Sequence, residues 1–223
     1  MQYSTFAAID IGSYDVILEI FEISKKQGIR SVDKICHRME LGKDTYTLGK
    51  IRPEMEEELC RVLADFVRIM EGYRVDAYRA MASSAISEAA NSLYVLGKIR
   101  QLTGLSVTVL SNSEQRFLGY KALAAMEDNF NKVIEKGTAI LDLDGGSFQI
   151  SLFDKDALVT TQNIRMGSLR VRERLAGIQS ETEHYEEMVE ELIWNEVSSF
   201  KKMYLKDRKI ENIMLIGDVF TDS

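Results

Sequence analysis

Proline, cysteine and histidine are scarce in this chain of 223 residues, which contains one proline, two cysteines and two histidines. Cys36 and Cys60 lie far apart without metal-ligand spacing, so they predict reduced structural thiols and exclude a disulfide framework. His37 and His184 also lack partners at ligand spacing. We therefore expect both histidines to be surface or packing residues rather than metal ligands or nucleophiles.

Long hydrophobic runs are also lacking. No segment approaches the roughly 20 apolar residues that a membrane span needs. The N-terminus shows no basic stretch followed by an apolar segment and a cleavage site. These absences predict a chain that neither spans a membrane nor carries a secretory signal, and they favour a cytoplasmic location.

Positive charge is in deficit, with 28 basic side chains against 35 acidic ones and a net charge of −7. This balance disfavours attraction to nucleic acid or to anionic membranes, so a polyanionic ligand would need a local positive pocket. Apolar residues, in contrast, make up 45% of the chain. That fraction and length suffice for one large or two modest domains with hydrophobic cores.

Two short segments each place a carboxylate and a glycine turn directly after an apolar run: Asp10-Ile11-Gly12-Ser13 and Asp142-Leu143-Asp144-Gly145-Gly146-Ser147. Apolar residues also follow each segment, which predicts two β-hairpins. Glycine lets a turn approach a ligand closely, its N–H groups can face phosphate oxygens, and a nearby aspartate can hold a hydrated Mg²⁺ ion. Ordinary hairpin turn chemistry is the alternative interpretation of each segment.

Strand and helix patterns alternate along the rest of the chain, which predicts an α/β fold. In the first half of the chain we expect strands over 1–35, a polar loop over 43–51, a helix beginning at Pro53 and ending at Gly72, a strand over 75–82, a helix over 87–102 and a strand over 105–110. We then expect a helix capped by Ser111 or Ser113, a helix over 181–204 and a strand over 213–216. The charged segment 127–136 is the best candidate boundary. The sequence thus predicts lobes over 1–127 and 128–223, the second continuing beyond residue 223.

Several segments together resemble one family. They are Ala-Ile-Asp-Ile-Gly-Ser over 8–13, Arg-Ala-Met-Ala-Ser-Ser-Ala-Ile over 79–86 with Glu88, Ala89 and Asn91, the Asp-Leu-Asp-Gly-Gly-Ser segment over 142–147, and Gly167, Ser168, Leu169, Arg170, Glu173 and Arg174. In this order and spacing they resemble the exopolyphosphatase and guanosine pentaphosphate phosphohydrolase family. The resemblance implies the actin-like ATPase (ribonuclease-H-like) superfold: α/β, two lobes with mixed sheets and a cleft between them. It also implies removal of terminal phosphate from polyphosphate or a guanosine polyphosphate with Mg²⁺ and water, and pairing as a homodimer.

The resemblance also implies roles for individual residues. Asp10 and Asp142 would be the metal-associated carboxylates, whereas Asp144 departs from the family pattern and is a candidate replacement metal ligand. The phosphate path would be lined by Gly12, Ser13, Gly145, Gly146 and Ser147. Among four arginines over 165–174, Arg170 is the best candidate for a positive contact, although such spacing on a helix often marks a solvated face.

The chain departs from the family pattern at both glutamates. The catalytic glutamate of the family's Ser-Gly-x-Glu-Glu-Ala-Arg-Leu stretch falls on Gln115, and the glutamate that closes its Asp-x-Gly-Gly-Gly-Ser-Thr-Glu stretch falls on Gln149. An amide can hydrogen-bond a water but cannot accept its proton, which typically costs about 10²–10⁴ in rate. Glu114 is a candidate shifted base, although one step along a helix turns a side chain by about 100°.

Two hypotheses follow from these residues. In the first, the chain is a phosphoanhydride hydrolase whose activity is weakened by the two amides. In the second, it is a noncatalytic relative that binds a phosphate-rich ligand or a protein partner. Gln115 and Gln149 favour the second hypothesis, whereas Asp10, Asp142 and the glycine turns favour a cleft that still binds its ligand.

Overall fold

The computed structural model describes residues 3–126, 130–179, 184–206 and 208–217. The chain divides into two compact units, residues 1–113 and 114–223. The charge pattern places the boundary after residue 127 instead. The two boundaries differ by the length of one helix, Asn112–Met126. This helix packs on the second unit through Tyr120 and Leu123.

The first unit is built on a five-stranded sheet of order β3-β2-β1-β4-β5. Its strands are β1 (Ser4–Ile11), β2 (Asp15–Ser24), β3 (Gly28–Arg38), β4 (Ala77–Ala82) and β5 (Val107–Val109), and its helices are α1 (Leu41–Leu48), α2 (Pro53–Gly72), α3 (Ser84–Ser87) and α4 (Ser92–Thr103). The first three strands form an antiparallel meander, and β4 runs parallel to β1. These elements confirm the predicted strands and the helix that begins at Pro53.

Alternating apolar residues on β1 and β2 form the core with α2 and α4. Ala7, Ile9 and Ile11 are buried on one face of β1, against a helical stripe that includes Leu63 and Phe66 of α2. Pro53 at the first position of α2 needs no N–H partner there, which suits the start of the helix. Asp10 has the opposite parity on β1 and is exposed.

Two predictions for the first unit are wrong. The segment predicted as a polar loop over 43–51 contains helix α1, because its polar residues are buried with partners: Asp44 accepts hydrogen bonds from Arg52, and Thr45 donates to the carbonyl oxygen of Ala85. The helix predicted over 87–102 begins only at Ser92, as α4, and a non-helical division separates it from α3. Asn91 lies at the division and bonds both backbone groups of Ile51.

The second unit is built on a four-stranded sheet of order β8-β7-β6-β9. Its strands are β6 (Thr138–Leu143), β7 (Phe148–Asp154), β8 (Ala157–Ile164) and β9 (Asn212–Ile216), and its helices are α5 (Asn112–Met126), α6 (Phe130–Ile134), α7 (Ser168–Gln179) and α8 (Tyr185–Tyr204). The hairpin around Asp142 and the strand predicted over 213–216 are confirmed. The helix predicted over 181–204 is present from Tyr185, and its first residues lie outside the described part of the chain.

Helices cover both faces of this second sheet. On one face α5 and α6 pack on Ile140 and Phe153, and on the other Phe200 of α8 packs on Ile150 and Leu152. Within the described residues, no helix is long and apolar enough to cross a membrane. Both cysteines are free, and burial raises the pKa of each thiol.

Candidate functional site

Asp10 and Asp142 occupy equivalent places in the two units. Each is the last residue but one of the first strand in its sheet, and that strand pairs antiparallel with the next strand through a glycine turn. Each strand also has a parallel neighbour, so that Asp10 lies beside Met81 and Asp142 beside Ile216. A carboxylate therefore marks the same topological position in both units.

The first glycine turn joins β1 to β2 through Gly12, Ser13 and Tyr14. The N–H of Gly12 donates to the carbonyl oxygen of Asp15 at 3.0 Å. A Cβ atom on Gly12 would lie only 2.9 Å from that oxygen, so the turn requires glycine here. Asp15 is paired with Arg38, whose guanidinium also lies 4.4 Å from the ring centre of Tyr14.

The hydroxyl of the buried Ser13 belongs to a group of three hydroxyls, of which those of Tyr46 and Ser84 are half-buried. Its Oγ lies 2.6 Å from the Tyr46 hydroxyl, which in turn lies 2.8 Å from Oγ of Ser84. The backbone oxygen of Ser13 also accepts the N–H of Gly42. Ser13 thus ties the turn to α1 and α3, and its role on the phosphate path stays a prediction. Sequence reasoning missed Tyr46, because nothing in its neighbourhood along the chain signals a contact with residue 13.

The second glycine turn is organised by the carboxylate of Asp144. Its Oδ1 accepts the N–H groups of Gly146 and Ser147, each at 2.7 Å. The backbone N–H of Asp144 donates to the carbonyl oxygen of Ser147 at 3.1 Å and closes the turn. The two N–H groups that the sequence assigns to phosphate therefore point at an aspartate of the same turn.

The second oxygen of Asp144 faces Gln115. The Nε2 atom of Gln115, near the start of α5, lies 3.4 Å from Oδ2 of Asp144. Burial raises the pKa of Asp144 above its usual value, and the donors at Ser147, Gly146 and Gln115, with the charge of Arg170, oppose that rise only in part. Gln115 and Asp144 are therefore structurally coupled.

Arg170 and the start of α7 hold the second turn from another side. Nε of Arg170 donates to the carbonyl oxygen of Gly146 at 2.9 Å. The backbone N–H of Arg170 donates to the carbonyl oxygen of Gly145 at 3.1 Å. The N–H of Ser168 donates to the carbonyl oxygen of Asp144. Arg170 thus has a defined contact with the turn, whereas Arg172 pairs with its neighbour Glu173.

Gly167 lies so close to this turn that no side chain fits. A Cβ atom at this position would lie 2.4 Å from both the carbonyl oxygen of Asp144 and the N–H nitrogen of Ser147. We expect Gly167→Ala to lower the free energy of unfolding by about 2–4 kcal/mol, because the obstructing atoms are backbone. Urea denaturation measures this change.

Gly119→Ala is the matched control, because a Cβ atom there meets nothing within 4 Å and Gly119 lies within helix α5. Helix propensity predicts that this variant gains up to about 1 kcal/mol. If Gly167→Ala proves as stable as wild type, the close packing of residue 167 on the turn is wrong.

Three polar side chains form a row across the second sheet. Asp142 of β6 pairs with Gln149 of β7, which pairs with Asn163 of β8. Directly opposed residues in antiparallel strands have Cβ atoms about 4.5–5.5 Å apart, so the buried Gln149 lies beside Asp142. Asn163 donates to Oγ of Ser147 at 3.1 Å. Sequence reasoning missed Asn163, which only the strand register reveals.

Helix α5 is fixed on the sheet face that carries Gln149. Tyr120 donates to Oγ of Ser151, two residues after Gln149 on the same strand, and Arg116 donates to Oγ1 of Thr161. The ring of Tyr120 also meets that of Phe153 edge-on at 5.1 Å. These contacts place Gln115 and Gln149 on one side of the second sheet. Glu114 is exposed, one residue before Gln115.

The structure gathers Gln115, Asp144, Gly146, Ser147 and Arg170 around the second turn. Across the described ranges, no three His, Cys, Asp or Glu side chains form a group that could hold a metal ion. Asp10 belongs to the first unit, and Asp142 and Asp144 belong to the second. Their joint role in binding Mg²⁺ stays a prediction.

Comparison with known proteins identifies related sequences. A model of the Ppx/GppA phosphatase family matches residues 19–222. Exopolyphosphatase 1 of Mycobacterium leprae is 25% identical over 144 residues, which are 64% of this chain and 41% of that protein. A bifunctional 3-dehydroquinate synthase/phosphatase of Fusobacterium nucleatum is 21% identical over 174 residues, 75% of this chain and 26% of that protein. The chain thus spans less than half the length of these relatives.

Comparison of structures gives the fold. The Aquifex aeolicus member of the Ppx/GppA protein family superposes with a TM-score of 0.70 at 22% identity, covering 96% of this chain and 66% of the other. The predicted actin-like α/β fold with two mixed sheets is therefore confirmed.

Proposed function

The chain belongs to the Ppx/GppA phosphatase family, and from this premise we propose that it binds polyphosphate or a guanosine polyphosphate with Mg²⁺ and hydrolyses the terminal phosphoanhydride slowly. The observation that carries the proposal is the matched placement of Asp10 and Asp142, each at the end of a strand that leads into a glycine turn. Two such turns suit a ligand with several linked phosphoryl groups.

The residue type of Asp10 and Asp142 supports the choice of Mg²⁺. This ion prefers carboxylate oxygens and keeps several of its waters, so one or two aspartates suffice when ligand phosphates complete its coordination. Asp10 and Asp142 are the proposed protein ligands, whereas the carboxylate of Asp144 accepts two N–H groups of its own turn. When bound, Mg²⁺ supplies positive charge that neutralises the phosphoryl oxygens.

The side chains of the second unit position the other reactants. Arg170 lies against the second turn and offers positive charge in a chain whose net charge is −7. Gln115 and Gln149 lie on the same side of the sheet, where each amide can orient a water by hydrogen bonding. Neither amide can take the proton of that water, and losing general-base assistance typically costs about 10²–10⁴ in rate. Slow turnover is the expected result.

Binding without turnover is the second candidate function. It is favoured by the contact between Gln115 and Asp144, because the amide nitrogen of Gln115 donates to a carboxylate of the turn. In this case the protein would bind a phosphate-rich ligand or a protein partner without hydrolysis. A cytoplasmic location and pairing as a homodimer belong to the same proposal.

The experiment is a measurement of phosphate release from polyphosphate and from guanosine pentaphosphate, with Mg²⁺ and with EDTA. An exopolyphosphatase of the family is assayed in parallel at equal concentration. We expect Mg²⁺-dependent release that is about 10²–10⁴-fold slower than that of the reference enzyme. Release at the reference rate would contradict the role assigned to the two amides, and bound polyphosphate without release would favour the second candidate.

A further inference from the structure

We propose that Asp144 lowers the affinity of the second glycine turn for phosphate. Its carboxylate is an internal anion that occupies the N–H groups a phosphate would use. The inference rests on the proposed function, since it needs a phosphate-rich ligand at this turn. The family stretch quoted above has glycine where this chain has Asp144, and glycine has no side chain that could act in this way.

The hydrogen bonds of the turn carry the argument. The N–H groups of Gly146 and Ser147 both donate to Oδ1 of Asp144 at 2.7 Å, which is short for an N–H bond and typical of an ionised acceptor. A backbone N–H has one proton to donate. A phosphate oxygen can therefore accept from these groups only after the Asp144 side chain has rotated away.

The Asp144 carboxylate is itself held in place. Its Oδ2 atom faces the amide nitrogen of Gln115, and the carbonyl oxygen of Gly146 is held by Arg170. Asp144 is half-buried, so repulsion between its charge and an approaching phosphate is only partly screened by solvent. Both the occupied N–H groups and the charge oppose phosphate at this turn.

The side chains of Gln115 and Asp144 are also complementary in charge and hydrogen bonding. A glutamine at residue 115 has an N–H that can donate to the carboxylate, whereas a glutamate there would place a second negative charge beside Oδ2. The aspartate in the turn and the amide on α5 are thus a matched pair. A ligand would consequently be held mainly by contacts other than these two N–H groups.

The test is calorimetric titration of Mg²⁺ tripolyphosphate into wild type, Asp144→Gly, Asp144→Asn and Asp156→Gly. Asp156 is an exposed residue of the same unit with a φ of 60°, which glycine adopts readily, so Asp156→Gly removes the same charge away from the turn. We expect Asp144→Gly to bind about tenfold or more tightly than wild type. Asp144→Asn should gain less, because its amide oxygen still accepts the two N–H groups, and Asp156→Gly should stay within about twofold.

Amide hydrogen exchange checks the variants without a ligand. The Gly146 and Ser147 protons should be protected in wild type and in Asp144→Asn, and unprotected in Asp144→Gly. Equal affinity of Asp144→Gly and wild type would overturn this inference and leave the proposed function standing. Weaker binding by Asp144→Gly would have the same two consequences and would make Asp144 a metal ligand. Absence of binding by all four proteins would overturn the proposed function and the inference with it.

Discussion

A triple variant, Gln115→Glu with Gln149→Glu and Asp144→Gly, is expected to release phosphate from Mg²⁺ polyphosphate about 10²–10⁴-fold faster than wild type. The two glutamates restore groups that can take a proton from water, and the glycine frees the N–H groups of the second turn. Steady-state phosphate release at saturating polyphosphate measures the change, with thermal unfolding as the check on folding.

The three substitutions are expected to be non-additive. Gln115→Glu alone exchanges an N–H donor, 3.4 Å from Oδ2 of Asp144, for a second carboxylate. Mutual repulsion then raises the pKa of the pair and disturbs the turn, so this single variant should gain little. Adding Asp144→Gly removes the repelling charge, and most of the rate increase should appear at that step.

Gln101→Glu is the control for added negative charge, since Gln101 is exposed on α4 of the first unit. Its rate should match that of wild type. A folded triple variant that is no faster than wild type would show that the missing carboxylates do not limit turnover.

The second large effect is expected at the paired aspartates. Asp10→Asn and Asp142→Asn should each weaken Mg²⁺-dependent binding of tripolyphosphate by about tenfold or more, equivalent to about 1.4 kcal/mol. The physical reason is that an amide oxygen binds Mg²⁺ more weakly than a carboxylate. Because the two residues occupy equivalent topological positions, the losses should be similar in size.

The control is Asp65→Asn, which removes one exposed carboxylate from α2. It should leave the affinity unchanged, since the charge of a solvated surface residue is screened. If only one of Asp10 and Asp142 affects binding, the two turns do not act on the same ligand.

Much of the fold could be predicted because its signals are local. Alternating apolar residues revealed the hairpin of β1 and β2, and Pro53 with the helical stripe behind it revealed α2. The segment over 43–51 resisted prediction because a polar residue such as Asp44 signals a loop when its buried partner is unknown. Its helix depends on bonds to Arg52, which the local pattern does not reveal.

The candidate site could likewise be predicted only where its signals are local in sequence. The glycine turns and their aspartates were visible as short motifs, whereas the partners that hold them come from other strands and helices. Asn163 reaches Ser147 through strand register, and Tyr46 reaches Ser13 from α1. The sequence left the role of Asp144 undecided, because the segment suits both ordinary turn hydrogen bonding and a metal ligand.

The most direct test of the central claim is a binding isotherm of wild-type protein with tripolyphosphate, measured with Mg²⁺ and again with EDTA. We predict saturable binding that requires Mg²⁺, with the ligand recovered almost intact after the titration. Binding that is equally strong in EDTA would contradict the account, and so would the absence of any binding.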